Sequence, residues 1–236
     1  MRLNLLAFDT STERLCVALR VGERLLRADE AGGPAASARL LPCVGELLTA
    51  AGIAHDALQA IAFGRGPGAF TGLRTSTAVA QGLAFGLGVP VLPLDSLLVV
   101  AEDARAQAGA DTMPFEVGVV MDARMGEMYA ARYGWDGARW QVLEAPALHG
   151  ADALRAAWSA GGPPCIAGSA LAMAGDPLAG LAGGAWPSER DRPGALMRLA
   201  EAAFANGDGV DAAAALPVYV RDKVALTTRE RELAAR

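Results

Sequence analysis

The sequence predicts an α/β protein in two lobes, each a mixed sheet with helices, and three observations carry that prediction. The apolar run Leu3 to Phe8 ends on Asp9 and a polar corner, Thr10-Ser11-Thr12, from which a strand returns at Arg14 to Leu19. The same order recurs where Glu116 to Met121 ends on Asp122 and a strand returns at Met128 to Tyr133, so the chain reads as a pseudo-duplication. Between the two lies GRGPGAFTGLR, Gly64 to Arg74, a glycine-rich turn joining the apolar run Ile61-Ala62-Phe63 to a long apolar helix. The first lobe is expected over 1–108, with Gly109 to Pro114 as a hinge, and the second over 109–236, its last segment packing back on the first.

A turn at Gly22-Glu23 and a strand over Arg24 to Ala28 complete a first meander. After Gly32-Gly33-Pro34, the residues Leu40, Leu41, Val44, Leu47 and Leu48 fall at helical spacing between Ser37 and Ala51, with Pro42 expected to delay or bend the first turn. A helical turn near Asp56 and a strand over Ala60 to Phe63 lead into the glycine-rich corner. Then come a helix from Thr71 to Gly88, a strand over Val89 to Pro93 and a helix capped by Ser96 and running to about Ala108. In the second half Trp135-Asp136-Gly137 turns the chain into a strand over Trp140 to Leu143. A helix over Ala151 to Ala160, a short strand over Pro164 to Ala167 and a loop-rich stretch to Trp186 follow. Pro193 opens a helix to Ala205, Leu216 to Arg221 is extended, and the charged end Arg229 to Arg236 is expected as a solvated helix or a frayed terminus.

Bulk properties narrow the function. The 236 residues carry a net charge of −5, which argues against broad nucleic-acid binding by this chain alone. Aromatics are only 6%, so the core must be built from Ala, Leu, Val and glycine. Cys16, Cys43 and Cys165 stand in apolar contexts at wide spacing, which disfavours a disulfide framework and points to a reducing compartment. No apolar window is long enough to span a membrane, and the apolar run after Met1 is too short for a signal peptide. A cytoplasmic protein is expected.

The chemistry is defined as much by what is missing. His55 and His149 are far apart and offer no metal-ligand spacing, no Gly-x-Ser-x-Gly elbow occurs, and Lys223, the only lysine, is not part of a Walker motif. A peptidase is therefore the weakest of the enzyme readings. What remains is an anion corner: backbone N–H groups left unpaired where the glycine-rich turn meets a helix N-terminus, flanked by the aspartates. The candidate residues are Asp9, Thr10, Ser11, Gly66, Gly68, Thr71 and Asp122, with Arg65, Arg74 and Arg124 as cations in place of the absent lysine. Two readings stand side by side. Asp9 and Asp122 could hold a magnesium-bound nucleotide between the lobes, as in an ATPase or phosphotransferase acting alone; or each caps a turn by accepting backbone N–H bonds, the glycines merely allowing close packing.

The helix after the corner has an unusual outer composition. Ala78, Gly82 and Gly86 repeat every four residues beside the apolar Val79, Leu83 and Leu87, and no charge occurs between Arg74 and Asp95. Each interior glycine costs about 1 kcal/mol relative to alanine, so something must compensate. Either the preceding helix of the same chain covers this stripe or a second chain does. The preferred reading is a partner interface made of Leu40, Leu41, Val44, Leu47, Leu48, Ala78, Val79, Gly82, Leu83 and Gly86.

LAFDTST from Leu6, GRGPGAFTGLR, AQGLAFG at Ala80 to Gly86, DARMGEMY at Asp122 to Tyr129 and PVYVRDKVA at Pro217 to Ala225 together resemble the TsaB (YeaZ) family, in order and over nearly the whole chain. The resemblance implies a two-lobed actin-like ATPase (RNase H-like) fold. It also implies a non-catalytic subunit that pairs with a homologous metal-binding catalytic subunit, TsaD, and works with an ATPase, TsaE. Their reaction transfers threonylcarbamoyl to the adenosine beside the anticodon of tRNAs reading codons that begin with A. Further implications are pairing through the two helices of the first lobe, as a homodimer when alone or with TsaD, and contact with tRNA only through the complex. No cofactor is expected on this chain alone, with ATP or ADP and a metal ion entering through the partner subunits. One departure is visible: Ala36-Ser37 stands where many members have a histidine.

Overall fold

Strands that are apolar at every position must be covered on both faces, and the first strand sets the architecture accordingly. In β1 (Asn4–Asp9), Leu6 and Phe8 point into one core and Leu5 and Ala7 into another. The molecule, a computed structural model, is described over residues 3–111, 113–173 and 178–221; the charged end 229–236 and the close of PVYVRDKVA lie outside the described residues. β2 (Arg14–Val21) and β3 (Arg24–Ala31) complete an antiparallel meander with β1. α1 (Ala36–Ala51) crosses to β4 (Ala60–Gly64), and α2 (Phe70–Leu87) crosses to β5 (Val91–Leu94), both strands adding parallel to the first sheet. The resulting order is β3-β2-β1-β4-β5.

α3 (Ser96–Gln107) leads to the second sheet, where β6 (Phe115–Asp122), β7 (Glu127–Trp135) and β8 (Trp140–Gly150) form the second meander. After α4 (Ala151–Ser159), β9 (Cys165–Ala167) pairs parallel to β6 and β10 (Gly184–Trp186) parallel to β9; α5 (Arg192–Asn206) follows. Read from the meander inward, the second order β8-β7-β6-β9-β10 repeats the first, so the pseudo-duplication extends from the strand ends to the whole sheet. The layers run α1 and α2, first sheet, α3 with α5, second sheet, α4. α5, late in sequence, lies on the first sheet.

Four local expectations change. α1 begins before Pro42 and runs through it, because Ala36, Leu40, Cys43 and Val44 bury its inner face on both sides while Pro42 stays in solvent. Asp95, not Ser96, caps α3, its Oδ1 accepting from the Leu97 and Leu98 amides at 2.9 and 3.4 Å. β8 extends well past Leu143, since an exposed edge strand lacks the apolar alternation that marks a buried one. The loop-rich stretch before Trp186 contains the three-residue β10.

The lobes meet through α3. Buried Glu102 accepts from Arg105 Nε and Nη2, from Trp140 Nε1 at 3.0 Å and from Arg198 Nε on α5. Burial pushes its carboxyl up, but those hydrogen bonds outweigh burial and hold it below the usual range.

Candidate functional site

The glycine-rich corner is closed by the protein's own backbone. A Cβ on Gly72 would stand 1.8 Å from the Thr10 carbonyl oxygen, and one on Gly68 would stand 2.4 Å from that of Ser11. These glycines let α2 lie directly against the corner after β1. The Ala69 amide donates to Ser11 O at 2.7 Å, and Gly66 N donates to Ser96 Oγ at 3.1 Å. Thr10 donates from its amide to Ser76 Oγ at 3.1 Å and from Oγ1 to Gly72 O at 2.7 Å. The amides of Thr10 and Gly66 and the Thr10 hydroxyl are therefore already paired, as close helix packing requires, whereas Gly68 lines the cleft between the lobes together with Ser11 and Asp122. Ser11 is buried with a hydroxyl that has no partner among the described residues, and Thr71 is exposed on the first turn of α2.

Asp9 is engaged by the protein's own groups in the same way. Asp9 is 1% exposed. Its Oδ1 accepts from Ser11 N at 2.6 Å and its Oδ2 from Arg192 Nη2 at 2.8 Å. It is one half of a buried ion pair, with no face turned toward a magnesium-bound phosphate. Arg192 also pairs with Glu189, and the turn into α5 is fixed by Asp103, which accepts from the Arg190 and Asp191 amides at 3.0 and 2.8 Å. Burial pushes the Glu189 carboxyl up against the opposing pull of Arg192; burial would lower the Arg192 pKa, but Glu189 and Asp9 keep the guanidinium charged. Asp122 is more open, and its Oδ1 accepts from Arg124 N at 2.7 Å. Both aspartates thus cap turns. Arg65 is exposed, Arg74 lies over the Phe70 ring at 4.0 Å, and Arg124 reaches Glu13 across the lobes at 2.6 Å.

Between the lobes is a cleft of about 640 Å³, with Met121, Met125, Met173, Tyr129 and Leu97 among its apolar walls and Arg192 at its lining. The extended residues Val218 to Arg221 line it as well. No group of three or more His, Cys, Asp or Glu side chains among the described residues is placed to hold a metal ion.

The outer face of the first lobe divides the expected interface in two. Leu40, Val44 and Leu48 are buried in their own lobe, beneath α1 and against the first sheet, so they cannot meet a partner. Leu47, Val79 and Leu83 are half-buried against that core. Ala78, Gly82 and Gly86 are exposed, and a Cβ on either glycine would meet nothing within 4 Å among the described residues. Leu41 is 51% exposed and Phe85 is 85% exposed.

The profile of the TsaD family, tRNA N6-adenosine threonylcarbamoyltransferase, matches residues 33–176. The tRNA threonylcarbamoyladenosine biosynthesis protein TsaB of Escherichia coli is 31% identical over 239 residues, covering 94% of this chain and 96% of that one. The chain belongs to the TsaB (YeaZ) family. The TsaB of Haemophilus influenzae is 41% identical over 127 residues, 54% of this chain and 52% of that protein. YeaZ from Pseudomonas aeruginosa superposes with a TM-score of 0.78 at 38% identity, covering 92% of this chain and 99% of that one.

Within this TsaB-family chain, sequence reading missed Arg192, Glu189 and Asp103, which lie about one hundred to two hundred positions from the corner they support and carry no local motif. It also passed over Phe85, the most exposed large apolar side chain among the described residues, although the four-residue repeat of small residues around it marks that face. No described helix is long and apolar enough to cross a membrane.

Proposed function

We propose that the chain serves tRNA threonylcarbamoyladenosine biosynthesis as a non-catalytic scaffold that pairs, through the outer face of α2 and Leu41 of α1, with a TsaD-like catalytic subunit. A TsaE-like ATPase completes the complex, and the threonylcarbamoyl group goes to the adenosine beside the anticodon of tRNAs that read codons beginning with A. One observation carries the reading: Ala78, Gly82, Phe85 and Gly86 form an open face whose glycines meet no other part of the monomer among the described residues. Glycine inside a helix is destabilising, and an exposed Phe beside small residues suits a close-packed second helix. The buried pairing of Asp9 with Arg192 supports the assignment of chemistry to the partner. Nucleotide and metal then belong to the partner subunits, and the cell compartment is the cytoplasm, where tRNA is modified.

The test is reconstitution with a TsaD-like subunit, a TsaE-like ATPase, threonylcarbamoyl-adenylate and tRNA, reading modified adenosine by mass spectrometry. Omitting the chain should remove the product, and Phe85→Asp should lower it at least tenfold without altering the far-ultraviolet spectrum of the chain. Undiminished product with Phe85→Asp, or magnesium-dependent ATP turnover by the chain alone that Asp9→Asn removes, would contradict the reading.

A further inference from the structure

Four consecutive residues late in the chain grip both lobes. Val218 N donates to Arg65 O at 2.7 Å, and its carbonyl oxygen would sit 2.8 Å from a Cβ on Gly66, so the segment lies tight against the glycine-rich corner. The Tyr219 ring packs on Phe70 with centroids 5.2 Å apart, and its hydroxyl accepts from Arg74 Nε at 3.3 Å; both partners lie in the first two turns of α2. Val220 then joins the core of the second lobe. Arg221 Nη2 donates to Ala123 O at 3.0 Å and to the Glu127 carboxylate at 2.7 Å, on the corner between β6 and β7.

A second cross-lobe clasp exists, Arg124 with Glu13, but its side chains are 68% and 71% exposed, and pairs so open contribute little. The Arg221–Glu127 pair is 13% and 39% exposed and is backed by a carbonyl, so of these two clasps it is the firmer, beside the contacts made through α3. α2 has no side-chain cap at its N-terminus; its inner side is tied to the corner after β1 by the Thr10 bonds to Gly72 O and Ser76 Oγ. The other side of its first two turns, Phe70 and Arg74, is held by Tyr219.

We propose that residues 218–221 are a strap by which the second lobe positions the start of α2, and thereby the helix face offered to the partner subunit. Arg221 is a positioning residue: it touches the second lobe and acts on α2 through Tyr219. The partner part of this inference rests on the scaffold reading; the grip on α2 does not.

The experiment is backbone hydrogen exchange on the full chain and on Arg221→Ala and Tyr219→Ala, with affinity for a TsaD-like subunit measured in parallel. Arg221→Ala should speed exchange at least fivefold over residues 70–77, which Arg221 does not touch, and weaken pairing by three- to tenfold; Tyr219→Ala should do the same from the other end. Faster exchange confined to 123–127 and 218–221, or no change at all, would overturn the strap. Faster exchange in α2 with unchanged affinity would overturn its link to the partner face. A wild-type chain that pairs with no TsaD-like subunit removes the scaffold reading instead and leaves the exchange result to decide the grip.

Discussion

Two glycines ten positions apart on α2 have opposite surroundings. A Cβ on Gly72 would collide with the Thr10 carbonyl oxygen, whereas a Cβ on Gly82 would enter open space. The first glycine is required by the monomer, because only the absent side chain lets helix and corner touch. The second is costly to the monomer, since glycine in a helix interior is worse than almost any replacement. The same residue type thus has opposite consequences on one helix. The monomer explains the first glycine, and the proposed pairing offers a reason for the second.

The comparison can be broken from its inner side first. Gly72→Ala should destabilise the chain by more than about 4 kcal/mol, because no rotamer relieves a Cβ pressed into a backbone carbonyl and α2 must move as a unit. Thermal or urea unfolding measures this, and a loss below about 1 kcal/mol would mean the corner is looser than described. Arg192→Met, beneath the same corner, should cost about 3 kcal/mol by leaving Asp9 buried without its cation. Adding Asp9→Asn should recover part of that loss, and a double-mutant cycle reads the coupling.

Sharper, smaller effects come from the outer side. Gly82→Ala should stabilise the monomer by up to about 1 kcal/mol through helix propensity alone, seen as a raised unfolding midpoint. The inner face of α1 offers the mildest test. Burial pushes the Cys43 thiol up to about 11, with nearby Glu30 adding to it and Arg39 opposing. The folded chain therefore keeps its proton where the unfolded chain has lost it, and stability should decline as pH rises from about 9 toward 11. Below pH 9 a thiol reagent should label Cys43 only after denaturant is added; rapid labelling of native protein would show α1 lifting from its sheet.

Much of this was legible in the sequence. The apolar strands ending on Asp9 and Asp122, the meanders that follow them and the helices on either side of the glycine-rich corner are all present, because strand and helix periodicities are local signals. The site was harder. Periodicity told that Leu40, Val44 and Leu48 share a face with one another, but not whether that face meets the chain's own sheet or a partner; it meets the sheet. Aspartates at strand ends beside a glycine-rich turn suggested a phosphate corner, yet the fate of Asp9 depended on Arg192, 183 positions away. The strap was read as an extended tail, and its grip on both lobes required the tertiary neighbours Arg65, Phe70 and Glu127.

The central claim is that the outer face of α2 exists for a second polypeptide. Gly82→Arg tests it most directly when pairing with a TsaD-like subunit and monomer unfolding are measured on the same preparation. An unfolding midpoint equal to or above that of the unaltered chain, together with at least a hundredfold loss of pairing, is the predicted result. Pairing that survives Gly82→Arg at full strength would contradict it.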